Sequence, residues 1–203
     1  MWPNGDKRLS VSAGFCLLAF WFGCVNGWGL LLMILGASAV HELGHLSVLV
    51  LFRRKVTALR IGMFGAVLDV DCRNLSYGKE LLAVLAGPAA NLLCAGWMSR
   101  YGSGNELLTG IHLMLGGFNL LPIRPLDGGR GMELILTWLF GPFVGEVLIR
   151  WVSAATAVLL AGGILVLIYA SGGSLWLVPA MAGLLGIAGR EVAGKLQIFA
   201  ILE

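Results

Sequence analysis

Charged side chains are few in this 203-residue chain, 14 Lys and Arg against 11 Asp and Glu, or 12% of the total, where a water-soluble domain carries about 25%. Apolar side chains make up 58% and the mean hydropathy is +0.88. That balance excludes a soluble enzyme, an intrinsically disordered segment, a collagen-like fibre and a secreted disulfide scaffold. The four cysteines (Cys16, Cys24, Cys72, Cys94) form no CxxC pair and read as ordinary buried thiols. Internal repeats are lacking. No small-x-small cleavage site follows the first apolar run, so Lys7 and Arg8 ahead of it read as the flank of a retained span rather than a secretion signal. Nothing is left over for an extramembrane domain.

What is present is a series of apolar runs, at about 9–25, 28–52, 81–98, 107–121, 147–170 and 175–188. A spanning helix needs roughly 20 mostly apolar residues, so these predict an all-α polytopic membrane protein with about six transmembrane helices. A further apolar piece, 132–143, is too short to span and is expected at the interface or in a protein cavity. The 30 glycines are scattered through the runs, as close helix packing in lipid allows.

The basic residues orient the chain, because Lys and Arg accumulate on the cytoplasmic side. Lys7, Arg8, Arg53, Arg54, Lys55, Arg60, Arg73, Lys79, Arg124, Arg130, Arg150, Arg190 and Lys195 fall on the side of the N-terminus, and only Arg100 on the other. Both termini are therefore expected in the cytoplasm. The positions of the charges, not the net +3, carry the information, and no nucleic-acid partner is inferred.

Inside the second run stands His41-Glu42-Leu43-Gly44-His45. Residues four apart share a helix face, so both imidazoles can hold one metal while Glu42 reaches water beside it, the HExxH zinc hydrolase pattern. Three ionisable groups in one turn of a membrane helix are expensive unless they act. A pair of histidines bonding neighbouring helices, with Glu42 as counter-ion, is the plain alternative. At about 1.5 Å per residue, His45 lies roughly 12 Å from the Arg53-Arg54-Lys55 cluster and His41 nearly 20 Å from Trp28, which places the turn nearer the cytoplasm.

A catalytic zinc commonly takes three protein ligands. The remaining histidine, His112, is expected more than about 20 Å of helix away from the cytoplasmic end of its span, so packing or helix bonding is its expected role. Asp127 is the better candidate. It stands in Asn119-Leu120-Leu121-Pro122-Ile123-Arg124-Pro125-Leu126-Asp127-Gly128-Gly129, where two prolines and two glycines predict an unwound segment against protein or a wet cavity. Pairing of Asp127 with Arg124 or Arg130 at the interface is the alternative.

These motifs resemble the site-2 protease family of intramembrane zinc metalloproteases. HELGH in the second run followed by NLLPIRPLDGG after the fourth carries the likeness. The stretch 60–71, RIGMFGAVLDVD, resembles that family's small membrane-associated β-hairpin, and 86–91, AGPAAN, resembles its GPxxN element. The ordered match covers about 28–140, which would be the catalytic core of a single membrane-embedded domain (1–203). The spans 9–25, 147–170 and 175–188 would be additions to it. Likeness is strongest to a bacterial sporulation branch that processes a pro-sigma factor. That branch carries a cytoplasmic C-terminal CBS domain, which these 203 residues do not include, so the regulation tied to it is not carried over.

The resemblance implies a bacterial cell-membrane protease with one Zn2+ per chain, held by His41, His45 and Asp127, with Glu42 as the catalytic base. It implies a membrane-tethered protein substrate of the pro-sigma-factor kind, membrane inhibitor proteins, and the lipid bilayer as setting. A substrate helix hides its carbonyls, so it must unwind. The segment 61–70, with Phe64 and Gly65, is expected to offer an edge strand for it, an ordinary interfacial hairpin being the alternative. Asn91 is expected to bind substrate, to orient the metal site, or simply to bond between helices. Two rival functions remain: a metal or proton transporter using the same His and Asp residues, and an inactive scaffold.

Overall fold

The computed structural model describes residues 9–54, 56–62, 65–70, 75–102, 105–171 and 178–202. Its elements run β1 (Leu9–Val11), α1 (Ala13–Asn26), α2 (Trp28–Leu51), β2 (Val56–Gly62), β3 (Gly65–Val70), α3 (Tyr77–Tyr101), α4 (Glu106–Asn119), α5 (Asp127–Phe140), α6 (Pro142–Ala170) and α7 (Val178–Leu202). Three of these, α2, α3 and α6, have 24, 25 and 29 residues and are apolar enough to cross a membrane. At about 1.5 Å per residue each exceeds the roughly 30 Å of a bilayer's hydrocarbon core.

The described residues fall into two compact units, Met1–Gly117 and Phe118–Glu203. In the first, α2 packs on α3, and α1 folds back on α2 through Gly27 alone. Gly27 has φ +95, a conformation open chiefly to glycine, so one residue reverses the chain. Gly23 lies against the Trp28 ring, where an added Cβ would meet Cε3 at 2.9 Å. The sheet has the order β1-β2-β3, with β1 parallel and β3 antiparallel to β2. Gly62 pairs with Gly65 at the closed end of the β2–β3 pair.

In the second unit α5 packs on α6 and α6 on α7. Ile123, Ala157 and Ala188 form a buried cluster, covered by Leu121, Leu126, Leu160, Leu184 and Ile187. Gly141, φ +83, turns α5 into α6, and Pro142 occupies the first turn of α6, where its missing N–H has no helical partner to lose.

The chain is inverted relative to a water-soluble protein. Leu51, Leu93, Met114 and Leu159 are exposed, whereas His41, Asn91, His112 and Ser153 are buried. Small residues mediate the close approaches: a Cβ on Gly44 would stand 2.5 Å from the Ala86 carbonyl oxygen and 2.9 Å from the Ala90 Cβ. This is the packing expected where lipid is the solvent.

Four expectations are corrected. The first run is not helical from Leu9, because 9–11 pair with β2 and Ser12 Oγ accepts from Phe15 N–H at 3.1 Å, starting α1 at Ala13. The last run continues as helix to Leu202, with no proline after Pro179 to stop it. Cys16 and Cys24 are exposed rather than buried, since of α1 only Gly23 is fully enclosed; Cys72 lies outside the described residues. Finally, Asp127, Gly128 and Gly129 are helical, the first three residues of α5. Only 120–126 separate α4 from α5.

The glycines that suggested unwinding serve contact instead. A Cβ on Gly128 would meet the Leu121 carbonyl oxygen at 2.6 Å, and one on Gly129 the Ile123 carbonyl oxygen at 2.5 Å. The loop 120–126 thus lies directly against the first turn of α5. Its Arg124–Pro125 peptide is cis, and the Arg124 N–H donates to the buried Ser153 Oγ of α6 at 3.1 Å.

Candidate metal centre

His41 and His45 stand one turn apart on α2, with ring centroids 4.8 Å apart and planes nearly perpendicular. Their Nε2 atoms face each other at 3.2 Å. His45 Nδ1 lies 2.8 Å from the Ala83 carbonyl oxygen on α3. A carbonyl only accepts, so Nδ1 carries the proton and Nε2 keeps its lone pair. That is the tautomer of a histidine that ligates through Nε2. The residues therefore fit a metal ion, on the chemistry of this donor alone.

Gly87 makes room for the ring, since a Cβ there would come within 2.6 Å of His45 Cε1. The glycine that resembles part of a family element thus has a direct steric reason. His41 is held from the other side: its Nδ1 is 3.2 Å from Asn91 Nδ2, and Asn91 Oδ1 is 3.0 Å from His112 Nδ1. Asn91 is 0% and His112 3% exposed.

Both ends of the Asn91 amide face histidines on neighbouring helices, which fits orientation of the metal site and bonding between helices alike. One expectation changes. His112 is a helix-bonding residue as expected, but not remote. α4 ends at Asn119, so His112 sits mid-helix, well short of the expected distance from that end, and its Nδ1 meets Asn91.

Asp127 opens α5, where the helix dipole favours a negative charge. Arg124 and Arg130, its expected ion-pair alternatives, both reach Glu133, at 3.4 and 3.3 Å. Glu42, adjacent in sequence to His41, is half-buried. Gly65 begins β3, and Phe64 lies outside the described residues. Ser153 and Glu133 escaped the sequence reading. A serine in an apolar run and a glutamate six residues after Asp127 were the available signals.

No family model matches the chain. A zinc metalloprotease of Methanocaldococcus jannaschii is 33% identical over 125 residues, covering 56% of this chain and 36% of its own. Stage IV sporulation protein FB of Bacillus subtilis is 34% identical over 115 residues, 53% of this chain and 40% of its own. The chain thus spans roughly two fifths or less of the length of these curated relatives. Among solved structures, a site-2 protease from Methanocaldococcus jannaschii superposes with a TM-score of 0.61 at 22% identity, over 93% of each chain. The fold is shared with that protease, and the resemblance carried by HELGH and NLLPIRPLDGG is borne out. With three helices of spanning length and these relatives, the chain is a membrane protein.

Proposed function

We propose that the chain is an intramembrane zinc metalloendopeptidase that cleaves a peptide bond within or beside a membrane-spanning segment. The observation that carries this reading is the pair of imidazoles on α2, their Nε2 atoms 3.2 Å apart and His45 held in the ligating tautomer by Ala83. His41, His45 and Asp127 hold one zinc ion per chain. Bound there, zinc lowers the pKa of a water ligand toward about 7 and polarises the scissile carbonyl.

The side chains supply the rest. Glu42, next to the first histidine on the same helix, takes the proton from the attacking water. Gly87 and Asn91 keep the two rings in place while substrate enters. β3, paired on one side with β2, offers an edge to an unwound substrate strand, whose backbone would find donors and acceptors there that lipid cannot provide.

The topology belongs to the same reading: six crossings, both termini cytoplasmic, the β2–β3 hairpin at the membrane surface, and the site nearer the cytoplasmic face. It is supported by the split of 13 basic residues against Arg100. A membrane-tethered substrate of the pro-sigma-factor kind, and membrane inhibitors, are supported by the likeness to the sporulation protein.

Coexpression with candidate membrane-tethered pro-proteins tests the function. Release of a shortened product by the wild type and none by Glu42→Gln is expected. Equal release by both would sink the proposal, and metal or proton transport that survives Glu42→Gln would favour the transporter.

A further inference from the structure

We propose that His112 is a positioning residue for the metal site, acting on His41 through Asn91. The inference rests on the zinc-protease reading above and concerns a residue that the HExxH and LDGG motifs leave out. Three polar side chains from α4, α3 and α2 meet in line: His112 Nδ1 to Asn91 Oδ1 at 3.0 Å, then Asn91 Nδ2 to His41 Nδ1 at 3.2 Å. All three are at most 7% exposed. Polar groups buried among apolar helices cost free energy unless each finds a partner, and here each link satisfies the next.

The arrangement matters because an imidazole ligates well only when its ring cannot turn. His45 has a backbone carbonyl to hold it. His41 Nδ1 meets an amide, and a side-chain amide rotates broadly about its last torsion. A second partner on its far side stops that rotation, and His112 is that partner. The site's proton arrangement gives the same residue a second task. Ligation through Nε2 leaves the His41 proton on Nδ1, which an amide oxygen must accept. A half-turn of the Asn91 amide keeps both contacts with donor and acceptor exchanged, and His112 Nδ1 then accepts from Nδ2. Imidazole can play either part by tautomer. Phenylalanine can play neither, and glutamine can play both.

The test uses the full chain in detergent. Zinc affinity is measured by chelator competition for the wild type, His112→Phe, His112→Gln, Asn91→Leu and the Asn91→Leu/His112→Phe double variant. Thermal unfolding of each metal-stripped form is recorded alongside. Loss of a partner behind a metal ligand typically weakens binding about 10–100-fold, and that loss is expected for His112→Phe and Asn91→Leu. His112→Gln should recover most of it. The double variant should be no weaker than Asn91→Leu, because a residue acting through another adds nothing once that other is gone.

Wild-type affinity in folded His112→Phe overturns the proposal. So do additive losses in the double variant, or a His112→Gln as weak as His112→Phe. If His112→Phe does not fold, near-normal affinity in His112→Gln with a loss in Asn91→Leu supports the relay, and any other pattern overturns it. A His41→Ala chain that keeps zinc at wild-type affinity would instead overturn the metal-site reading itself, so the two failures are distinct.

Discussion

Gly87 of α3 and His45 of α2 pack so closely that a single methyl group at position 87 would overlap the imidazole, 2.6 Å from Cε1. No backbone conformation demands glycine there, since Gly87 lies within a regular helix. The demand comes from the ring. Gly87→Ala should therefore cut zinc occupancy by about tenfold or more, the scale seen when a ligand's support is disturbed. The folded helices should remain, and circular dichroism with metal analysis of purified protein would show both. Full occupancy in Gly87→Ala would mean that the ring has room to move.

Glu42 and the two histidines separate chemistry from metal binding. Glu42→Gln is expected to lower product release by about 10²–10⁴, the range for a lost general base, with zinc content unchanged. His41→Ala or His45→Ala should lose both. A chelator should abolish release by the wild type, and added zinc should restore it. Product assays paired with metal analysis check all four outcomes.

Ser153 is the side-chain anchor of the loop that leads to Asp127, accepting from the Arg124 N–H at 3.1 Å. Ser153→Ala leaves that half-buried donor without its acceptor, at a cost of about 1 kcal/mol. The expected result is a lower unfolding temperature in detergent and reduced zinc retention. Unchanged values for both would show that the loop is held by other contacts.

Gly128 and Gly129 test whether close packing or helix propensity dominates in the first turn of α5. On propensity alone, Gly→Ala in a helix stabilises by about 1 kcal/mol. Overlap with the Leu121 and Ile123 carbonyls argues the other way, since overpacking costs about 1–3 kcal/mol. Destabilisation is the expected sign for both alanine variants in thermal unfolding. A gain in stability would show that the loop yields to the new methyl.

Much of the site was legible because it is local. The i, i+4 spacing of His41 and His45 forms a shared face in any helix, and structure adds only the ring geometry. The interruption after Asn119 was also legible, from Pro122 and Pro125. What misled was Gly128-Gly129, which reads as a helix breaker by propensity and is helical because the loop backbone occupies the space of two side chains. Leu9–Val11 misled similarly: an apolar triplet joins a helix by hydropathy, but here it pairs with β2.

The sequence by itself indicated the lipid solvent and the residues proposed as ligands, because composition and helical spacing act over a few residues and need no partner. Tertiary structure alone decided which atoms hold those ligands. Ala83 lies 38 positions from His45, Asn91 50 from His41, and His112 21 from Asn91. Hydrogen bonds over such separations depend on how α2, α3 and α4 pack side by side, and no periodicity in the chain encodes that. The scarcity of charge marked the residues of the candidate site, and helix packing set which uncharged residues touch them.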